Sequence, residues 1–141
     1  MKKTLLAVMA VLMMSVMLIA GCSSGEEAAP AADKKSGTTT IGFSISTLNN
    51  PFFVSVKDGV EAKAKELGVN VKIVDAQNDP AKQANDVADL LQQGVSVLLV
   101  NPVDSAAIST SVEAANKAKI PVIALDRSAD KGTIASVSYT H

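Results

Sequence analysis

From Thr39 onward the chain alternates between two rhythms of apolar and polar positions. Short apolar runs of strand length are separated by longer stretches in which apolar residues return every three or four positions. Thr40–Ile45 reads as a buried strand. Pro51–Leu67 reads as a helix, with Pro51 suited to its first position and Gly68 to its C-terminal cap. Phe53, Val56, Val60, Ala64 and Leu67 form its apolar stripe. Residues 69–74 are a second strand. Asp79-Pro80 opens a second helix, with Ala84, Val87, Ala88 and Leu91 on one face and Gly94 after its end. Residues 95–100 form a third strand, apolar except for Ser96. Residues 105–118 form a third helix around Ile108, Val112 and Ala115. Residues 121–125 and 133–139 read as the fourth and fifth strands.

Near-continuous apolar strands separated by helices predict an α/β domain, a parallel sheet covered by helices on both faces. Right-handed crossovers put every strand-to-helix loop on one edge of such a sheet, and ligands bind outside the carboxyl ends of the strands. The segments that matter are therefore 46–50, 76–79, 101–104 and 126–130.

The N-terminal pattern differs. Lys2 and Lys3 precede a 16-residue stretch, 5–20, that is apolar apart from Ser15. This is shorter than the roughly 18–20 apolar residues of a spanning helix. It fits a secretory signal over residues 1–21, with small residues at its exit. Residues 23–38 contain no Leu, Ile, Val or Phe and read as a linker. A flexible chain of that length has an end-to-end distance of roughly 20–25 Å. Residues 39–141 are then one small domain with one core. The formal charge of −1 becomes −3 without Lys2 and Lys3. No basic patch suggests nucleic acid.

The strand-end loops carry scarce residues. Arg127 is the only arginine, and Phe52 and Phe53 are two of three phenylalanines. Ser46, Asn50, Asn101 and Asp126 lie on the same predicted edge. A polyol suits such a set. A carboxylate accepts from two hydroxyls, a guanidinium donates in a fixed fork, and a carboxamide does both. Each residue also has a plainer role. Asn50 is a good N-cap before Pro51, Phe53 falls on the apolar stripe, Asp126 and Arg127 could be a solvated pair, and Asn101-Pro102 could be a turn.

Three motifs, Ser46-Thr-Leu-Asn-Asn-Pro-Phe-Phe53, Val100-Asn-Pro-Val-Asp-Ser105 and Ile123-Ala-Leu-Asp-Arg127, resemble the N-terminal half of ribose-binding members of the periplasmic-binding-protein family, which serves sugar ABC importers. The resemblance implies a flavodoxin-like parallel sheet forming the N-terminal lobe of a type I binding protein. It implies sugar contacts at Ser46, Asn50, Phe52, Phe53, Asn101, Asp126 and Arg127, with Phe52 stacked on the sugar ring. It implies a non-catalytic, monomeric receptor for a monosaccharide, most readily ribose, that docks on ABC permease subunits and needs no cofactor. Family members are about twice this length, so the chain reads as a truncated form carrying half of the site. Leu18-Ile-Ala-Gly-Cys22 resembles a bacterial lipobox, which implies cleavage after Gly21 and lipid on Cys22. Two or more acyl chains anchor a protein stably where one does not. The expected location is the outer side of the cell membrane.

Other readings have little to carry them. A Rossmann or flavodoxin-like enzyme would need a phosphate loop or a catalytic constellation. Neither G-x-G-x-x-G nor G-x-x-x-x-G-K-[ST] occurs, and the single histidine is His141. LacI-type repressors share the general fold but are cytoplasmic, against the export signal. A structural surface lipoprotein would show no ligand-induced stabilisation.

Overall fold

The computed structural model describes residues 38–139. The signal sequence, Cys22 and the linker up to residue 37 lie outside the described residues, as do Thr140 and His141. Strands and helices alternate as β1 (Thr40–Ile45), α1 (Pro51–Leu67), β2 (Asn70–Asp75), α2 (Pro80–Gln92), β3 (Val97–Val100), α3 (Ser109–Lys117), β4 (Val122–Leu125) and β5 (Ser136–Ser138). The five strands form one sheet in the order β2-β1-β3-β4-β5, with every neighbouring pair parallel. This is the flavodoxin-like α/β order anticipated from the sequence.

Local chemistry explains the helix ends. Asn50 is extended, and its side chain accepts from the Phe52 N–H at 3.0 Å, while Pro51 occupies the first helical position. At the other end Gly68 has φ 67° and donates to Lys65 O, and Val69 donates to Ala64 O. This is a Schellman stop, which requires the left-handed conformation that glycine adopts most readily. Asp79 caps α2 by accepting from the Ala81 and Lys82 N–H groups at 2.8 and 3.1 Å.

Two boundaries differ from the sequence expectation by three residues or more, and β3 starts at Val97 instead of 95. Helix α3 starts at Ser109, not 105. Asp104 accepts from the Ala107 N–H at 2.7 Å and holds 105–108 as a turn that leads into the helix. Strand β5 is three residues long. The segment before it docks on α3 instead: Thr133 N–H donates to Asn116 Oδ1 at 2.7 Å, and Asn116 Nδ2 donates to Thr133 O at 2.9 Å.

The main core lies between the sheet and helices α2 and α3, which also touch each other. Leu98, Val100, Val122 and Ala124 meet Val87, Leu90, Ile108, Val112 and Ala115 there. The buried face of α2 is Gln83, Val87 and Leu90, with Ala84 and Leu91 half-buried and Ala88 exposed. On the strand face turned the other way, Phe43 and Ile45 are fully buried, whereas Leu99, Ile123 and Leu125 keep partial exposure. Of the α1 stripe, Ala64 is buried and Phe53, Val56 and Val60 are half-buried. Leu67, at the helix terminus, is exposed.

Candidate functional site

The carboxyl ends of β1, β3 and β4 are tied together by one side chain. Asn101, the residue after β3, is 2% exposed. Its Oδ1 accepts from the Ser46 N–H at 3.2 Å and from the Ser46 hydroxyl. Its Nδ2 donates to Leu125 O at 3.0 Å. Ser46 follows β1 and Leu125 ends β4, so the carboxamide fixes three strand ends at their common edge. Its Oδ1 is fully occupied, while Nδ2 retains one hydrogen beyond the Leu125 bond.

Asp126 stands just past β4 with φ 67°. The Arg127 N–H reaches back to Leu125 O at 2.7 Å, which closes a three-residue γ-turn around Asp126. The Asp126 N–H donates to Ser138 O at 2.7 Å, so the turn is pinned to the end of β5. Left-handed backbone at a non-glycine residue costs on the order of 1–3 kcal/mol and concentrates at functional positions. Arg127 does not extend freely into solvent. Its Nη1 donates to Val103 O and, at 3.5 Å, to Pro102 O.

The first turn of α1 supplies the apolar part. Phe52 is 42% exposed and Phe53 half-buried, with ring centroids 5.2 Å apart in an edge-to-face arrangement. Phe52, Phe53, Val56, Asn101, Leu125, Asp126 and Ser138 surround an open depression of about 130 Å³.

Four of the seven residues singled out in the sequence, Phe52, Phe53, Asn101 and Asp126, therefore share one concavity. The other three adjoin it. Ser46 lies buried beneath, bonded to Asn101. Asn50 sits at the helix cap, and Arg127 turns toward the loop after β3. The sequence reading missed Gln83 and Ser138. Gln83 is 1% exposed and makes three hydrogen bonds beneath this edge. Its only signal was its spacing of four and seven from Val87 and Leu90 on the buried face of α2. Among the described residues no three His, Cys, Asp or Glu side chains converge where a metal could be held.

This α/β domain gathers polar and aromatic side chains at the carboxyl edge of a parallel sheet, the place where such sheets bind ligands. A model of the periplasmic binding protein domain matches residues 41–140, and the chain belongs to that family. It is 52% identical over 130 residues to the ribose import binding protein RbsB of Bacillus subtilis, a match covering 91% of this chain and 43% of that protein. With RbsB of Escherichia coli it shares 53% identity over 97 residues, covering 69% of this chain and 33% of the relative. The chain thus spans less than half the length of these relatives. Among solved structures, a Caulobacter myo-inositol binding protein bound to myo-inositol superposes with a TM-score of 0.69 at 31% identity, covering 74% of this chain and 36% of that one. A Mycobacterium smegmatis ABC transporter solute binding protein with bound glycerol gives 0.68 at 40% identity, covering 72% and 35%.

Proposed function

We propose that this chain is the N-terminal lobe of a solute-binding lipoprotein of a sugar ABC importer, and that its ligand is a monosaccharide, D-ribose first. The observation that carries this reading is the exposed Phe52 ring beside Asp126 and Asn101 at the carboxyl edge of the sheet. An aromatic face can pack on sugar C–H groups while the carboxylate accepts from two hydroxyls. Asn50, Arg127 and Ser46 complete the polar surround, with Phe53 supporting Phe52. The relatives named for ribose import support the choice of sugar. The remaining length that they possess would supply the second lobe. The receptor is not an enzyme. It delivers sugar to membrane permease subunits as a monomer and sits outside the cytoplasmic membrane on lipid attached to Cys22. The match to the Bacillus subtilis protein covers 91% of the chain and so extends well before Thr39, which is consistent with a shared export leader.

The test is calorimetric titration of the full-length protein, meaning this lobe together with the proposed second one, with D-ribose, other pentoses, hexoses and myo-inositol. Saturable binding with ribose tightest is expected. Preference for another monosaccharide would reassign the sugar and keep the receptor class. Conversion of a sugar to product, or no binding of any sugar, would overturn the proposal.

A further inference from the structure

We propose that Gln83 is a positioning residue for the sugar site, acting through the loop after β3 to set the place of Arg127. The inference rests on the receptor reading above. Gln83 is the fourth residue of α2 and points beneath the sheet edge, not into the depression. Its Nε2 donates to Asn101 O at 2.9 Å and to Ser44 Oγ at 3.2 Å, and its Oε1 accepts from the Val103 N–H at 2.8 Å. Both amide hydrogens and the carbonyl are therefore engaged. The carboxamide clamps residues 101 and 103 from below, on either side of the buried Pro102. The peptide unit whose Val103 N–H is held presents Pro102 O on its other side to the Arg127 guanidinium, and the next unit presents Val103 O to it. Asn101, held by Gln83 through its backbone, holds Ser46 and Leu125 through its side chain. Leu125 O in turn accepts from the Arg127 N–H in the γ-turn that carries Asp126. One buried amide is thus linked, through Asn101 and Leu125, to the loops after β3 and β4 that carry polar groups of the site.

A residue that only stabilised the fold would behave differently. Losing its bonds would lower the melting temperature, but a protein still almost wholly folded would bind sugar with unchanged affinity. A positioning residue changes affinity in the folded protein and is coupled to the group it positions.

The experiment uses the full-length protein with D-ribose as the probe. Gln83→Met, similar in length but without the amide, is combined with Arg127→Ala in a double-mutant cycle read by calorimetry well below the melting transition. Gln83→Met is expected to weaken ribose about tenfold, the order of one or two lost buried hydrogen bonds. Arg127→Ala is expected to cost far less in that background than in the wild type. Gln83→Glu keeps an acceptor for the Val103 N–H but turns a carboxylate oxygen toward Asn101 O where the amide donated, so it should weaken ribose as Gln83→Met does. Where Gln83→Met fails to fold, the cycle is run with Gln83→Glu, and coupling to Arg127 is again expected. Unchanged affinity with additive effects overturns the inference while leaving the receptor reading intact. A wild-type protein that binds no sugar removes both.

Discussion

Phe52 and Asn101 line the same depression but differ in what the fold asks of them, and this makes them complementary probes. Phe52 is exposed at the first turn of α1, so Phe52→Ala should change stability by no more than about 0.5 kcal/mol, as surface substitutions do. In the full-length protein it should weaken ribose about tenfold or more, because burying such a ring contributes roughly 1.5–3 kcal/mol. Calorimetry paired with urea unfolding checks both numbers, and an unchanged affinity would remove Phe52 from the site. Asn101 gives the opposite pattern. Asn101→Ala leaves the buried Ser46 N–H and hydroxyl without their acceptor, while Leu125 O keeps the Arg127 N–H. Unsatisfied buried groups cost about 1–3 kcal/mol each, so roughly 2–6 kcal/mol of stability should be lost in urea. An affinity change in that variant would not by itself establish a sugar contact. Arg127 is intermediate, since its guanidinium already serves backbone carbonyls. Arg127→Ala should weaken sugar roughly 10- to 150-fold, the span of a charge-assisted hydrogen bond. The sequence placed these residues on one edge because strand polarity alone dictates it. It could not reveal that Asn101 and Gln83 are braces, because that depends on side-chain directions across three strands. Gln83 was hidden further by its type. A polar residue on a helix reads as solvent-facing until its partners on other elements are known.

At the level of elements, the boundaries legible in the sequence were those set by local chemistry. Helix α1 ran as expected because Asn50, Pro51 and Gly68 each act within one turn of the chain. The boundaries that moved were set at longer range. Residues 105–108 keep a turn under Asp104, and residues 128–135 settle on α3 before the sheet resumes. Gly132 marks that docking. Its φ is 91°, and an added Cβ would lie 2.6 Å from Val112 Cγ1. Gly68 has a similar conformation, with φ 67° and open space around it. Both Gly68→Ala and Gly132→Ala should therefore carry the left-handed penalty of about 1–2 kcal/mol. Only Gly132→Ala should add an overpacking cost of about 1–3 kcal/mol against α3. Denaturant midpoints at constant m-value will separate the two. Equal losses would mean that the loop rides freely over α3 instead of packing on it.

For the whole molecule, the fold class was legible because repeated strand–helix alternation admits few topologies. The reach of the site was not, because a cleft needs a second wall. The depression of about 130 Å³ is open to solvent. Sites that hold small ligands tightly enclose roughly 70–90% of the ligand surface. A sugar resting on this wall alone would keep much of its surface and several hydroxyls in water. The isolated segment 39–141 should therefore bind ribose far more weakly than the full-length protein. The comparison is made by calorimetry on both proteins, with a cooperative melt of the segment recorded first to establish that it is folded. Saturable micromolar binding by the folded segment would show that one wall suffices and would refute the two-lobe account. The tether is tested separately. Cys22→Ala should move the full-length protein from the membrane to the soluble fraction, since the acyl chains proposed for that residue would provide the anchoring energy. Cys22→Ala should at the same time leave ribose affinity unchanged, because none of the residues proposed to contact the sugar precedes Ser46. Retention in the membrane would refute the lipid anchor. A shift in affinity would mean that the leader reaches the cleft, and the two activities could then no longer be treated as independent parts of one chain.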